Sequence, residues 1–137
     1  MSTTELQKPE ISISQTDFER LNLLAEENEN RIPAVTDRLF MELDRATIVP
    51  DDRISDDVLR MGSFARFTSD TETNRLVSLV YPGMADIESG RLSILTPIGV
   101  ALIGLSKGQS IDWRTRDGQT RHLTVKDVYQ PNQSPPK

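Results

Sequence analysis

The feature that most constrains this chain is a short, almost uninterrupted apolar segment, Ile98 to Leu105, introduced by Thr96 and Pro97. Threonine is a good helix N-cap and proline is tolerated at the first helical position, so a helix is predicted from Pro97 to about Leu105. Gly108 is predicted to close this helix in the left-handed conformation. Because the helix is apolar on nearly all sides, it must be buried against another layer of structure.

That layer is predicted to be a sheet, because strand-like runs flank the apolar segment on both sides. "RLVSLVY" (residues 75–81) and "RLSIL" (residues 91–95) precede it, and "SIDWRT" and "HLTVK" follow it. A shorter and more ambiguous run covers residues 64–68. The second half of the chain therefore predicts an antiparallel sheet covered by one short helix, which is an α+β arrangement.

The last two predicted strands place a constraint on their own connection. A two-residue turn would divide the apolar side chains between both faces of the sheet, whereas a three-residue loop, residues 117–119, keeps them on one face. That loop pairs Trp113 with Leu123 and Ile111 with Val125. The opposite face then carries four basic or ionisable residues: Arg114, Arg116, His122 and Lys126.

The first half of the chain predicts two helices. "TDFE" is a capping box with Thr16 at the N-cap, and an apolar stripe of helical period follows it. Pro33 starts a second stripe, in which Leu39 and Leu43 face inward while Glu42 lies on the polar side. Two helices of about 13 residues with a short polar loop predict an antiparallel hairpin whose stripes pack on each other.

These patterns divide the chain into five segments. Residues 1–12 are predicted to be flexible, residues 13–48 form the hairpin, and residues 49–57 form a linker with proline and charge but no period. Residues 58–131 contain the sheet, and the proline-rich residues 132–137 are predicted to form a flexible tail.

Composition excludes several classes of function. The net charge of -5 argues against strong binding to bare nucleic acid or to a membrane surface. The chain has no cysteine and one histidine, which excludes disulfides, a Cys-based zinc site and a multi-His metal site. Residues 1–10 lack the basic start and apolar stretch that are typical of a signal peptide, and the apolar segment is far shorter than the ~20 residues of a membrane-spanning helix. We expect a soluble cytoplasmic protein without metal or cofactor.

No known catalytic motif is present, so the most distinctive charged feature is the predicted hairpin loop. Residues 13–46 hold eight acidic residues and four arginines, and Glu26, Glu27 and Glu29 cluster near the tip. Carboxylates on a protruding tip can capture a hard cation such as Mg²⁺ or shield a basic pore. The alternative is an ordinary solvated tip. Trp113, Gly99 and Gly104 are interpreted as core residues, with the two glycines inside the apolar helix.

Several stretches resemble a known family. "LVYP", "GRLSILTPIGVALIGLSKGQSIDW" and "LTVKDVYQP" are similar to the C-terminal domain of the Gre transcript-cleavage factors and closer still to the Rnk family. "ELDRA", residues 50–61 and "YQP" resemble Rnk sequences in particular. The resemblance covers roughly residues 12–131.

The resemblance implies a coiled-coil hairpin, an FKBP-like sheet domain and binding to bacterial RNA polymerase at the mouth of its secondary channel. In Gre factors the docking turn contains Asp-Ser-Pro and precedes the short helix. The matching residues here are Leu95, Thr96, Pro97 and Ile98, with Leu95 in place of the acid, a departure that Rnk sequences share. This turn is therefore the predicted polymerase-docking surface.

The length of the hairpin bears on activity. Helices of 13 residues span ~20 Å, whereas helices of ~30 residues, as in a long Gre-type hairpin, span ~45 Å. The tip glutamates are therefore predicted not to reach the polymerase active site, where Gre tips help to hold Mg²⁺. The chain is predicted to be a non-enzymatic transcription regulator that competes with Gre-type factors. The alternatives are an FKBP-like peptidyl-prolyl isomerase and a Gre-like cleavage factor.

Overall fold

The computed structural model describes residues 8–70, 74–114 and 117–131. Two helices form a hairpin at the N-terminal side, and a five-stranded sheet with one short helix follows. The α+β class is confirmed, while the coiled-coil geometry and the FKBP-like class stay predictions. The elements are β1 (Ser12–Ser14), α1 (Gln15–Asn28), α2 (Pro33–Arg45), β2 (Thr47–Val49), β3 (Phe64–Ser69), β4 (Arg75–Val80), β5 (Arg91–Ser93), α3 (Pro97–Leu102), β6 (Ser110–Arg114) and β7 (Thr120–Tyr129).

The two hairpin helices pack through the apolar stripes that the sequence predicts. Leu21 and Ala25 of α1 and Leu39 and Leu43 of α2 are almost completely buried. Glu42, which the stripe places on the polar side, is also buried, and this part of the prediction is wrong. Its carboxylate lies 3.2 Å from Lys8 Nζ and 2.7 Å from the Arg45 guanidinium, so it is neutralised by two cations at the base of the hairpin.

The start of α1 also differs from the prediction. Ser14 is the N-cap, because its hydroxyl oxygen accepts a hydrogen bond of 3.2 Å from the backbone N–H of Asp17. Thr16 is not the N-cap: its hydroxyl and its backbone N–H both donate to the carboxylate of Asp51. The Thr16 side chain therefore ties the first turn of the hairpin to the segment that follows β2, part of the predicted linker.

A small parallel ribbon closes the base of the hairpin. β1 pairs with β2, with Ile13 opposite Ile48, so the chain enters and leaves the hairpin side by side. Ile11 and Ile13 are buried in the main core. The prediction that residues 1–12 are flexible is therefore wrong for the last residues of that segment. Residues 1–7 and 132–137, predicted to be flexible, lie outside the described residues.

The sheet has the strand order β5-β4-β3-β7-β6. All neighbouring strands are antiparallel except β4 and β5, which are parallel, so the predicted wholly antiparallel sheet is wrong. The reason is the connection from β4 to β5. It contains two short 3-10 helices, Pro82–Met84 and Ile87–Ser89, which bring the chain back along β4, so that β5 begins with Arg91 opposite Ser78.

The short helix α3 covers one face of the sheet. Its N-cap is Thr96 and its first residue is Pro97, as predicted, but it ends at Leu102 rather than near Leu105. The terminating residue is Gly104, with φ +82°, and not Gly108. A side chain at Gly104 would meet Ile11, because β1 crosses the core at this point.

The register of the last two strands is shifted by two residues from the prediction. Trp113 lies opposite Arg121, and Ile111 lies opposite Leu123. The predicted odd loop length is confirmed, but the predicted pairs are wrong. Because side chains alternate with a period of two, a two-residue shift leaves the same apolar side chains on the buried face. Arg116 lies outside the described residues.

Candidate docking surface

The predicted docking turn connects β5 to α3 and is held by local hydrogen bonds. The Thr96 hydroxyl donates to the carbonyl oxygen of Ser93 (2.7 Å) and accepts from the backbone N–H of Gly99 (3.1 Å). The backbone N–H of Leu95 donates to the Ser93 hydroxyl (3.0 Å). These bonds fix the turn to the edge strand of the sheet, so its shape is set before any partner binds.

Gly99 permits this tight turn. A Cβ atom at Gly99 would lie 2.3 Å from the carbonyl oxygen of Ser93 and 2.9 Å from Cα of Ile94. Both obstructing atoms belong to the backbone, so neither can move aside as a flexible side chain would. The helix therefore starts directly against the strand that precedes it.

The turn lines an apolar groove of about 340 Å³, together with residues of β3, β5, β6 and β7. Three of the four predicted docking residues line the groove, and Leu95 does not. Pro97 is exposed, while Leu95 and Ile98 are partly buried against the core. The groove is lined by Ser69, Asp70, Leu92, Thr96, Pro97, Ile98, Trp113, Arg121 and His122.

Sequence reasoning missed most of this groove. Trp113, interpreted only as a core residue, is 4% exposed and lies in the groove lining. Arg121 and Leu92 also contribute, from β7 and β5. Trp113 and Arg121 share one face because they are cross-strand partners. The alternation of apolar and polar residues along β6 and β7 indicates which residues share a face. It does not show that Trp113 and Arg121 are neighbours, because that requires the correct strand register.

The rim of the groove is polar and internally bonded. The carboxylate of Asp70 accepts from the backbone N–H of His122 at 3.0 Å, and the backbone N–H of Asp70 donates to the His122 carbonyl oxygen. Nδ1 of His122 lies 2.5 Å from the Asp112 carboxylate. Asp112 and His122 face each other on the outer side of the sheet, where a basic surface was predicted.

The predicted acidic tip lies at the far end of the hairpin. Glu26 and Glu27 occupy the last turn of α1, Glu29 is its C-cap residue, and all three are exposed. Carboxylates at a helix C-terminus are unfavourable with the helix dipole, by about 0.3–1 kcal/mol each at low ionic strength. The helix therefore gains nothing from these charges. No cluster of three metal-ligating side chains occurs within residues 8–70, 74–114 and 117–131.

A second, polar cavity of about 380 Å³ lies where the base of the hairpin meets the sheet unit. Asp17 accepts a hydrogen bond of 3.1 Å there from the backbone N–H of Met61. Burial raises the pKa of the Asp17 carboxyl above its ordinary value. The hydrogen bonds from Thr16 lower the pKa of the Asp51 carboxyl. These contacts fix the hairpin to the sheet unit and leave both carboxylates already bonded.

Buried Gln130 holds the C-terminal end of the sheet unit to its beginning. Its side-chain N–H groups donate to the carbonyl oxygens of Asp56 and Val58, at 2.8 and 2.9 Å. Its side-chain oxygen accepts from the Ser63 hydroxyl at 2.7 Å. This residue belongs to the "YQP" stretch, and its bonding explains why a polar side chain is fully enclosed there.

Comparison with known families follows the two halves of the structure. Residues 54–130 match the family described as transcription elongation factor GreA/GreB, C-terminal, and residues 9–49 match the family described as Rnk N-terminus. The regulator of nucleoside diphosphate kinase from Escherichia coli K12 is 36% identical over 129 residues, which cover 92% of this chain and 94% of that protein.

Two further proteins with GreA or GreB in their names are similar to this chain. The solved structure titled prokaryotic transcription elongation factor GreA/GreB from Nitrosomonas europaea has 34% identity and a TM-score of 0.69. The match covers 88% of this chain and 99% of that one. The transcription elongation factor GreA from Azorhizobium caulinodans is 34% identical over 92 residues, which are 66% of this chain and 56% of that protein.

The helical hairpin followed by the mixed sheet with its short helix is thus the arrangement of a GreA/GreB-type protein. The chain belongs to the GreA/GreB family and, within it, to the Rnk regulators. None of the helices in the described part of the chain is both long and apolar enough to cross a membrane.

Proposed function

We propose that this protein is a non-enzymatic, cytoplasmic transcription regulator that binds bacterial RNA polymerase near the secondary channel and competes there with Gre-type factors. The observation that carries the proposal is the Thr96-Pro97 turn, in which Pro97 is exposed; the turn is preformed by hydrogen bonds and borders an apolar groove. A rigid turn beside an apolar depression loses little conformational freedom on binding, which favours its use as a docking site.

We further propose that the protein does not stimulate transcript cleavage. The hairpin helices contain 14 and 13 residues, so the hairpin projects by about 20 Å at 1.5 Å per residue. A hairpin of this length occupies the channel entrance and leaves the catalytic metal out of reach of the tip. Competition with longer factors then follows from shared occupancy of the entrance.

The structure gives less support to the isomerase alternative. A prolyl isomerase pocket needs several aromatic side chains around the proline ring. In the described part of the chain, Trp113 is the one aromatic residue that lines the groove. Absence of turnover in a prolyl-peptide isomerisation assay is the expected result.

Changing the docking turn tests the binding proposal. The double variant Pro97→Ala and Ile98→Asp is expected to weaken binding to core RNA polymerase at least tenfold, because it removes the exposed ring and places a charge in the apolar groove. Binding is measured with labelled protein and purified core polymerase. The matched control is Ile87→Asp, since Ile87 is 79% exposed and lies outside the groove lining.

Unchanged polymerase affinity in a folded double variant would contradict the docking role. Loss of cooperative unfolding in that variant would instead show that the turn is structural. The single variant Pro97→Glu then separates the two roles, because Pro97 is exposed and its side chain can change without burying a charge.

The acidic tip provides a separate test. Replacing Glu26, Glu27 and Glu29 by glutamine is expected to leave polymerase affinity within about threefold, because exposed charges at the rim of an interface mainly change the association rate and its salt dependence. Incubation of the parent protein with backtracked transcription complexes is expected to give no shortened RNA. RNA cleavage by the parent that disappears in the triple variant would show that the hairpin reaches the active site.

A further inference from the structure

Among the described residues, the lining of the apolar groove includes a cation that the fold does not use. The ionisable residues in this described lining are Asp70, Arg121 and His122. Asp70 is bonded to the backbone of His122, and the His122 imidazole is bonded to Asp112. The backbone of Arg121 belongs to the β6–β7 ladder, whereas its guanidinium forms no hydrogen bond or ion pair with any residue in the described ranges. Its guanidinium is therefore available to a partner.

The surroundings of Arg121 favour pairing of its guanidinium with a carboxylate of a partner. Arg121 is partly buried and lies directly opposite Trp113, which also lines the groove. Leu92 and Ile98 contribute apolar walls. A guanidinium is weakly hydrated and binds carboxylates through paired N–H donors, and such pairs are stronger where water is partly excluded. The groove therefore combines an apolar cavity with one cationic group at its edge.

We infer that the groove binds a protein segment in which an apolar side chain enters beside Trp113 while a neighbouring carboxylate pairs with Arg121. The identification of that segment as part of RNA polymerase rests on the function proposed above. The inference concerns its chemistry: the partner segment is apolar and acidic. Arg121 gives the carboxylate of such a segment a charged partner beside the apolar lining of the groove.

Trp113 supplies a direct readout, because it is the only tryptophan of the chain. Two blocked pentapeptides, Leu-Glu-Leu-Glu-Leu and Leu-Gln-Leu-Gln-Leu, are titrated into the parent protein while tryptophan emission is followed. The acidic peptide is expected to bind at least about threefold more tightly, in the range of one exposed charge pair. The variant Arg121→Gln is expected to abolish the preference, whereas Lys126→Gln, exposed on the same strand and outside the groove lining, retains it.

The same variants are then compared for binding to core RNA polymerase. Arg121→Gln is expected to weaken binding about fivefold at low salt and to reduce its salt dependence, with the thermal unfolding midpoint unchanged. Lys126→Gln is expected to behave as the parent.

The two arms separate failure of this inference from failure of the proposed function. If the parent binds polymerase but Arg121→Gln binds equally well with the same salt dependence, the inference is wrong and the proposed function stands. If the parent does not bind polymerase, the proposed function is wrong and the peptides decide. A preference for the acidic peptide that depends on Arg121 then supports the inference, and equal or absent binding of both peptides overturns it.

Discussion

Replacing Gly99 by alanine is expected to destabilise the protein by about 2–4 kcal/mol, because the new methyl group meets rigid backbone on two sides. The added Cβ would lie 2.3 Å from the Ser93 carbonyl oxygen. Relief requires α3 to move away from β5, which breaks the hydrogen bonds of Thr96 and opens the groove wall. Urea unfolding of parent and variant measures the difference.

The direction of the stability change distinguishes a steric clash from an effect of helix propensity. Alanine is the better helix former by about 1 kcal/mol, so local helix propensity alone predicts that Gly99→Ala stabilises the protein. The matched control is Gly83→Ala, because a Cβ at Gly83 would meet no atom within 4 Å. We expect the control to change stability by less than about 0.5 kcal/mol. Equal stability of Gly99→Ala and parent would mean that the turn is not as tight as the structure shows.

The parts of the fold that depend on neighbouring residues could be predicted from the sequence. Thr96 and Pro97 specify the start of α3, because N-capping and the proline ring act within one helical turn. The apolar stripes around Leu21 and Leu39 specify the hairpin for the same reason. The predicted docking turn lies in such a local stretch, which explains why three of its four residues line one groove.

The groove as a whole could not be predicted, because it depends on pairing between distant strands. Leu92, Trp113 and Arg121 meet only when the parallel β4–β5 pair and the β6–β7 register are known. Hydrophobic alternation fixes the face of a residue but not its partner, since a shift of two residues preserves the faces. The N-cap role of Ser14 could not be predicted for a similar reason. Thr16 has an equally suitable side chain, and only its contact with Asp51 decides between the two residues.

The prediction for Glu42 was wrong because it, too, depends on residues distant in sequence. The same contacts underlie the second prediction of a large change in stability. Along α2 the residue looks polar and solvent-facing, yet its side chain is only 6% exposed. Residues before β1 cover the Glu42 carboxylate. Lys8 approaches this carboxylate, and the Arg45 side chain of α2 donates to the carbonyl oxygen of Pro9. The periodicity of a single helix contains no information about a segment that is distant in sequence.

Replacing Glu42 by glutamine is expected to destabilise the protein by about 2–3 kcal/mol. Breaking a fully buried ion pair from one side costs about 3–5 kcal/mol, because the remaining charge is left uncompensated. Lys8 and Arg45 retain 28% and 26% side-chain exposure, so they recover part of their hydration and the loss is smaller. Thermal and urea unfolding, followed by the helical circular dichroism signal, give the free-energy difference.

The matched control is Asp44→Asn, which removes the same charge two residues further along α2 from an exposed position. Its expected effect is below about 0.5 kcal/mol. A comparable loss in both variants would mean that the helix responds to net charge rather than to the buried contact. A loss confined to Glu42→Gln, accompanied by increased proteolysis near Lys8, would show that the carboxylate joins the segment before β1 to the hairpin. The buried charge of Glu42 then also holds the chain that enters the core, because that same segment continues past Gly104 into β1.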